Sequence, residues 1–384
     1  GAVKILKKGQ ESTDSLQLKE SFDQLKSSFI SMGESLDYYQ RLNALETKTR
    51  DKLLRALQDV VAYPDRRAEF QDEPGWNTSV FRGSNESGLP LDQQDSYLRD
   101  AAAIYSGNYT DLPDLGKDFE FTPFDWTEGI DISYDAPSLN PFFGHRSGSK
   151  KKRPRMPKRC VVLIGRNGSG KTTLLSKLAR VAYASPTERR EKDIKEIGVF
   201  EPFGIGFMRI ITIAYSAFDS FTLPGIFVHD LEQIAKDIDR GEGRFIYSGL
   251  RDVAKELRED LENLETAQDS DSPQRLRLAE RRSTTQLKSL DQLADEFVRL
   301  YKQIEEKDRV KIFDKALLPV LSDASFADFE EPDAETLLGE NPKDTFLSWS
   351  TGHKIALHVL ASIVAHAEKQ SLVLFDEPET HLHP

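Results

Sequence analysis

The chain has 384 residues, enough for one large domain or two ordinary ones, and its 38% hydrophobic content excludes a mainly disordered protein. No apolar run approaches the ~18–20 residues that span a bilayer, which excludes a membrane-spanning helix. A formal net charge of −12 argues against nucleic-acid binding by the whole surface, but leaves room for a local basic patch. The single cysteine, Cys160, excludes an intrachain disulfide, so we expect a cytoplasmic location.

Residues 16–62 carry an apolar pattern typical of helices. The apolar positions recur at alternating steps of four and three, and they are Leu18, Phe22, Leu25, Phe29, Met32, Leu36 and Tyr39. The pattern predicts either a helix docked on a neighbouring domain or a dimerisation coiled coil, and the lack of consistent flanking charge pairs favours docking. Residues 63–117 are broken by proline and glycine around a short helix at 91–105.

The middle of the chain predicts strands on either side of a basic loop. Residues 119–132 and 198–215 have the period-two apolar pattern of strands. Between them, the basic run Lys150–Arg159 is either a solvated loop or a contact for DNA or RNA. The run leads into an apolar segment, Cys160–Ile164, which predicts a short buried strand.

A glycine-rich turn follows this strand and precedes a helix predicted from about Thr172 to Ala184. The turn fits the pattern G-x-x-x-x-G-K-[ST], in which backbone N–H groups surround the phosphates of a nucleotide such as ATP. We expect the ammonium of Lys171 to reach the β- and γ-phosphates and the hydroxyl of Thr172 to bind Mg²⁺. The predicted nucleotide-binding residues of the turn are Gly165, Arg166, Asn167, Gly168, Ser169, Gly170, Lys171, Thr172 and Thr173.

Two adjacent carboxylates stand at the end of a second apolar segment. Asp376 and Glu377 follow Leu372–Phe375, the pattern of a buried parallel strand. In a phosphate-loop fold this strand lies beside the one that feeds the loop, so its carboxyl end opens at the γ-phosphate. We expect Asp376 to hold Mg²⁺ and Glu377 to polarise the attacking water, with Glu377 and Lys171 as the catalytic residues.

The segment between these motifs is highly charged. Asp230 to about Lys315 is predicted to be mostly helical, with a polar break, ETAQDSDSPQ, between two arms. A further helix is predicted at 353–368. The pattern is typical of a helical lobe inserted into an ATPase core.

Three elements occur in order: GRNGSGKTT, then SWSTGHK from Ser348 to Lys354, then LVLFDEPETHLHP. On these motifs the chain resembles the ABC-type ATPases, in the soluble branch that contains RecF, SMC-type and overcoming-lysogenisation-defect (OLD) proteins. The resemblance covers roughly residues 119–384. It implies an α/β fold, a P-loop NTPase of the ABC-ATPase type, with an inserted helical lobe and, outside the resemblance, a mainly helical N-terminal extension.

The resemblance identifies the middle element as the ABC signature. Ser350, Gly352 and His353 match positions that close over ATP held by a second copy, which implies a homodimer or higher oligomer with ATP between the copies. Thr351 and His353 depart from the family's Gly and Gln, and no glutamine follows the second strand, where Tyr215 to Asp219 stand. The family's switch histidine is missing, so we expect the natural protein to continue beyond Pro384.

The resemblance also suggests a biological role. Similar proteins include the PtuA-like ATPases of Septu and certain retron systems, which work with a separate HNH nuclease in anti-phage defence. The seven histidines form no nuclease or metal motif, so a nuclease or other effector is expected as a separate partner. A RecF-like repair ATPase that loads proteins on DNA is the alternative, and an ATP-binding module without hydrolysis is a third interpretation.

These inferences divide the chain into four parts. They are an N-terminal extension at 1–117, a first core part with the phosphate loop at 118–228, an inserted helical lobe at 229–340, and a second core part with the signature and the carboxylate pair at 341–384.

Overall fold

The computed structural model describes part of the chain in detail. The described residues are 3–11, 16, 18, 21–34, 36–43, 45–81, 91–108, 119–132, 160–166, 168–184, 188–201, 205–216, 219–225, 228–241, 243–266, 282, 284–321 and 341–378. The chain separates into two compact units. The first unit is Gly1–Lys171 with Ala184–Gly206, and the second is Thr172–Tyr183 with Phe207–Pro384.

The first unit begins with a pair of antiparallel strands. Strand β1 (Val3–Lys7) pairs with β2 (Phe29–Gly33), and Ile5 faces Ser31 in the register. The helix predicted through Phe29 and Met32 is therefore wrong at this point. A sequence-distant segment supplies a hydrogen-bonding ladder there, and tertiary pairing overrides a local helical pattern.

Helices follow the strand pair. They are α1 (Leu36–Asn43), α2 (Thr47–Ala56), α3 (Pro64–Ala68) and α4 (Leu91–Ser106), with a π-helical turn at Trp76–Val80. Helix α4 confirms the helix predicted at 91–105. Strand β2 means that the N-terminal region is not helical throughout.

A second sheet of the first unit is antiparallel. Its strands are β3 (Phe119–Pro123), β4 (Ile130–Ile132) and β5 (Gly198–Glu201), in the order β4-β3-β5. The rings of Phe119 and Phe121 lie 5.5 and 5.1 Å from that of Phe200, so aromatic packing closes one face. These strands confirm the strand predictions for 119–132 and for the first part of 198–215. Short helical segments at Glu188–Arg190 and α6 (Lys192–Lys195) precede β5.

The second unit contains a parallel sheet. Its strands β6 (Ile210–Ala214), β7 (Phe245–Gly249) and β8 (Leu372–Asp376) lie in the order β7-β6-β8. Every residue of β6 is buried, as expected for the central strand of a sheet covered on both faces. The register pairs Ala214 with both Gly249 and Asp376, which brings the carboxyl ends of the three strands to one edge.

The second unit also contains helices. They are α5 (starting at Lys171 and ending at Tyr183), α7 (Val228–Arg240), α8 (Val253–Thr266), α9 (Leu290–Glu306), α10 (Val310–Leu321), α11 (Pro342–Ser348) and α12 (Thr351–His366). One hydrophobic core contains residues of the four helices α9, α10, α11 and α12. Among its buried residues are Phe297, Phe313, Phe346 and Leu357. Helices α5 and α12 and strand β8 confirm the sequence predictions for these segments.

Two sequence predictions are wrong in this part of the chain. Strand β7 lies within the segment predicted to be mostly helical, so that segment contributes a strand to the parallel sheet. Conversely, Cys160–Ile164 forms no strand, and the side chains of Val162 and Ile164 are 62% and 93% exposed. A strand is held by hydrogen bonds to a neighbouring strand, and no strand among the described residues pairs with this segment. Cys160 is likewise exposed, not packed.

No helix within the described ranges has the length and apolar character needed to cross a membrane.

Candidate nucleotide site

The backbone of the phosphate loop requires glycine at several positions. Gly168 and Gly170 have φ of +80° and +86°, in the left-handed region that side chains disfavour. A Cβ added to Gly165 would lie 2.6 Å from Oγ of Ser169. The loop is closed by a hydrogen bond of 3.1 Å from the N–H of Ser169 to the carbonyl of Arg166. Asn167 lies outside the described residues.

Lys171 ends the loop and begins helix α5. Its Nζ donates to the carbonyl oxygens of Gly165 at 2.9 Å and Arg166 at 3.3 Å. The ammonium group therefore lies against the backbone of its own loop. A helix N-terminus next to such a loop presents free N–H groups and a partial positive charge, the combination that binds phosphate.

Helix α5 is anchored through its apolar face. Leu174, Leu178 and Val181 recur at steps of four and three and are buried. Ser176 adds a directional contact, because its hydroxyl donates to the carbonyl oxygen of Thr222 at 3.2 Å. Thr172 and Thr173 therefore start a helix whose later turns are fixed in the core of the second unit.

Thr172 and Asp376 meet in the second unit. The hydroxyl of Thr172 donates to both carboxylate oxygens of Asp376, at 3.0 Å to Oδ1 and 2.8 Å to Oδ2. Asp376 is the last residue of β8 and is only 7% exposed. The sheet register and the start of α5 thus bring together two side chains that are 204 positions apart in sequence.

Glu377 follows directly in an unusual backbone conformation. Its φ is +49°, which is in the left-handed region that non-glycine residues rarely adopt. Its side chain is exposed. A non-glycine residue in this region costs of order 1–3 kcal/mol, and such residues cluster at functional sites. The chain therefore turns sharply as soon as β8 ends. Residues 379–384 lie outside the described residues.

A buried ionic cluster lies beside the sheet edge. Arg251 is completely buried, and its guanidinium contacts Asp219 at 3.3 Å and Glu256 at 2.6 Å. Tyr247 donates its hydroxyl hydrogen to Oδ2 of Asp219 at 3.1 Å. Burial raises the pKa of Asp219 to about 6, Arg251 opposes this, and the charge of Asp376 contributes to the increase.

Sequence reasoning missed this cluster. It noted only that Tyr215 to Asp219 stand where the resemblance expects a glutamine. Arg251 and Glu256 are five residues apart, and nothing in their spacing indicates that they are buried together. Strand β7, which precedes Arg251, was itself not predicted, so the position of Arg251 carried no signal of burial.

The predicted signature residues lie at the start of helix α12. Ser350 is its N-cap, and its Oγ accepts a hydrogen bond from the N–H of His353 at 3.3 Å. The Nδ1 of His353 lies 3.0 Å from the same Oγ. Ser350 is exposed, whereas Gly352 and His353 are half-buried. A hydroxyl at an exposed helix N-terminus is a suitable contact for an anionic group.

The oxygen groups at Thr172 and Asp376 fit a magnesium ion. Mg²⁺ is bound in proteins by one or two carboxylates together with substrate phosphates and water, and a hydroxyl and a carboxylate lie here within contact distance. Among the described residues, no group of three or more His, Cys, Asp or Glu could hold a metal by itself. A hydroxyl and a carboxylate are ligands that Mg²⁺ takes beside substrate phosphates, so this pair suits a metal bound together with a nucleotide.

Comparison with known proteins agrees with this arrangement. Protein ea59 of Escherichia phage lambda is 29% identical over 415 aligned residues, and the chain spans 66% of that protein's length. No solved structure was found to match. The family described as "AAA domain, putative AbiEii toxin, Type IV TA system" matches residues 160–384, more than half of the chain and all the motifs above. The chain therefore belongs to this family of AAA-domain proteins and has an α/β fold of the P-loop NTPase class.

Proposed function

We propose that this chain is an ATP-driven switch of the ABC type. Two copies dimerise around ATP, hydrolysis separates them, and the change of state regulates a partner effector, a nuclease, in anti-phage defence. The observation that carries the proposal is the contact of 2.8 Å between the hydroxyl of Thr172 and the carboxylate of Asp376. These two side chains belong to different motifs, and a nucleotide-hydrolysing site requires both.

Each residue of the proposed site has a distinct task. The loop from Gly165 to Gly170 supplies N–H groups to the phosphates, and the ammonium of Lys171 moves from its loop carbonyls to the β- and γ-phosphates. Thr172 and Asp376 would hold magnesium, which when bound offsets negative charge on the phosphate oxygens. Glu377 accepts a proton from the attacking water and orients it.

The exposed N-cap of helix α12 supports the dimer. In this proposal the hydroxyl of Ser350 and the first N–H groups of the helix contact the γ-phosphate held by the other copy. Ser350 is exposed and so accessible to another molecule. Gly352 leaves the first turn without a side chain in the way, and His353 lies beside the serine hydroxyl. Release of the phosphate would remove the contact and open the dimer.

The effector and the biological role are inferred from the comparisons with known proteins. The family description names a toxin of a toxin–antitoxin system, and the relative ea59 is a phage protein. Both point to conflict between phage and host, in which an ATPase that controls a separate effector is useful. The inserted helical lobe, within residues 229–340 but excluding β7, is the surface we propose for that partner.

The test of the proposal is the substitution Glu377→Gln. Without the carboxylate, water is not activated, so we expect hydrolysis to fall by about 10²- to 10⁴-fold while ATP binding is retained. The variant should then accumulate as a dimer in ATP and Mg²⁺, which sedimentation velocity would detect. Glu305→Gln, the same chemical change at an exposed position of α9, is the control and should remain like the wild type. Wild-type hydrolysis by Glu377→Gln would refute the assigned role.

A separate experiment tests the nucleic-acid proposal. The basic run Lys150–Arg159 lies outside the described residues, so its role rests on charge alone. If it contacts phosphates, replacing Lys150, Lys151, Lys152 and Arg153 by Gln should lower the slope of log affinity against log salt by up to ~0.7–0.9 per lost contact. Fluorescence anisotropy with a labelled duplex and a labelled single strand measures this. Unchanged binding and salt dependence would exclude the contact.

A further inference from the structure

A buried polar contact joins helix α12 to two strands of the parallel sheet. The hydroxyl of Tyr215, the residue after β6, lies 2.6 Å from Nδ1 of His358 on α12. The same hydroxyl lies 3.2 Å from Oγ of Ser248 on β7. Tyr215, Ser248 and His358 are 4%, 1% and 1% exposed, so water does not compete for these contacts.

The positions of the protons follow from burial. Burial lowers the pKa of His358 to about 4, so the imidazole is neutral at pH 7. Burial raises the pKa of Tyr215 well above its usual value, so the phenol keeps its proton. Tyr215 therefore donates to Nδ1, and the imidazole carries its hydrogen on Nε2. That nitrogen lies 3.8 Å from Oε2 of Glu296, which accepts a hydrogen bond of 2.6 Å from Lys288.

Apart from Ser248 and the Glu296–Lys288 pair, apolar side chains surround this contact. Where α12 covers the sheet, Val359 packs against a cluster that includes Ile211, Ile213 and Ile246. Apolar contacts have little directional preference, so a buried hydrogen bond adds a defined register to this part of the helix–sheet interface. A polar contact in a largely apolar interface fixes register, as a buried polar position does in a coiled coil, at some cost in stability.

The contact lies between the two parts of the proposed site. Tyr215 follows Ala214, the register partner of Asp376. Ser350 caps the helix that carries His358, eight positions earlier, or about 12 Å along the axis at 1.5 Å per residue. A shift of α12 relative to β6 would therefore move Ser350 relative to the strand that carries the metal-binding carboxylate.

We propose that His358 is a positioning residue, which through Tyr215 holds helix α12 in the register that Ser350 needs to contact ATP on a second copy. The proposal rests on the proposed function for its consequence, but the positioning itself belongs to the single chain. His358 contacts neither nucleotide nor metal in this proposal.

The experiment compares three substitutions in the Glu377→Gln background. His358→Leu and Tyr215→Phe each remove the bond, and His358→Asn keeps an acceptor near the position of Nδ1. We expect the first two to weaken ATP-dependent dimerisation about tenfold or more, with unchanged affinity of the monomer for fluorescent ATP analogue and with retained thermal stability. His358→Asn should restore most of the dimerisation. The double variant His358→Leu/Tyr215→Phe should lose no more than either single variant.

Hydrogen exchange separates this proposal from the proposed function. In nucleotide-free protein, His358→Leu should speed exchange of the amides at 351–357 about tenfold, while the amides of β8 keep their protection. If the Glu377→Gln protein never dimerises, the proposed function fails, and the exchange result alone decides the role of His358. Unchanged exchange at 351–357 in both His358→Leu and Tyr215→Phe would overturn the positioning role. A loss of protection throughout the second unit would also overturn it, because the residue would then be structural only.

Discussion

Replacing Asp376 by Asn is expected to lower Mg²⁺-dependent ATP hydrolysis by at least about 10²-fold and to abolish stabilisation of the protein by ATP with Mg²⁺. The substitution removes the charged carboxylate that contacts Thr172 and leaves a side chain of the same shape. The remaining amide oxygen still accepts a hydrogen bond from the threonine hydroxyl. The fold should therefore persist while the metal-binding charge is lost.

Thermal unfolding with and without nucleotide distinguishes the two effects. A ligand at 100 times its Kd stabilises the folded state by about 2.7 kcal/mol, so the wild type should show a clear increase in Tm with ATP and Mg²⁺. Asp376→Asn should show nearly the wild-type Tm without nucleotide and no increase with it. Asp376→Asn that retained the full ligand-induced increase would exclude Asp376 as a metal-binding residue.

Threonine 172 offers a matched pair of control variants. Thr172→Ser keeps the hydroxyl that donates to Asp376, and Thr172→Val keeps the shape without it. The serine variant should keep the ligand-induced increase in Tm, and the valine variant should lose most of it. Equal behaviour of the two would show that the hydroxyl has no part in nucleotide binding.

The elements with strong local signals could be predicted from the sequence. The backbone of the phosphate loop has positive φ at Gly168 and Gly170, and glycine is the residue type that indicates such a conformation in a sequence. Helices α5 and α12 have apolar periodicity and clear starts, and β8 is a short apolar run that ends in a carboxylate. In each case the information lies within about fifteen consecutive residues.

The elements that depend on distant partners could not be predicted. Strand β2 exists because Val3–Lys7 pairs with it, and its local pattern also fits a helix. Strand β7 is five residues long within a charged helical stretch, where its pairing with β6 decides its conformation. Cys160–Ile164 shows the opposite error, because a strand was predicted there and none forms. Its composition is typical of a strand, but no described strand pairs with it.

The candidate site divides in the same way. The motifs predicted that Thr172 and Asp376 belong to one site, and the structure shows that their side chains are in contact. The supporting groups, Tyr215 with His358 and Asp219 with Arg251, come from three separate segments. Their roles depend on which buried surfaces pack together. No residue spacing in a single sequence indicates such contacts between distant segments.

Replacing Arg251 by Met is expected to destabilise the second unit by about 3–5 kcal/mol at pH 7. The methionine fills a similar volume, but Asp219 would lose the cation that it contacts and, among the described residues, Glu256 would keep only the ion pair of 3.5 Å with Arg282. Arg251 also donates to the carbonyl of Phe221 at 2.9 Å, and that acceptor would lose its partner. Such a loss is a large part of the 5–15 kcal/mol that stabilises an ordinary domain.

The destabilisation should depend on pH in a defined direction. Burial already raises the pKa of Asp219 to about 6 with Arg251 present, and removing the cation would raise it further. A carboxyl whose pKa is higher in the folded than in the unfolded state favours folding below its unfolded pKa of ~4. That contribution is lost as the pH rises through the folded pKa. The difference between Arg251→Met and the wild type should therefore be smaller at pH 5 than at pH 8.

Urea unfolding at pH 5, 7 and 8 measures this, with two variants as controls. Arg240→Met changes an exposed arginine at the end of α7 and should cost no more than about 0.5 kcal/mol. Arg251→Met/Glu256→Gln should recover part of the loss, because the glutamine is neutral and still accepts the N–H of Gln286, which contacts Oε1 of Glu256 at 3.0 Å. A cost below about 1 kcal/mol for Arg251→Met, independent of pH, would mean that the cluster contributes little to the fold. The ionic contacts of Arg251 would then have to be explained by a role in the candidate nucleotide site around Asp376.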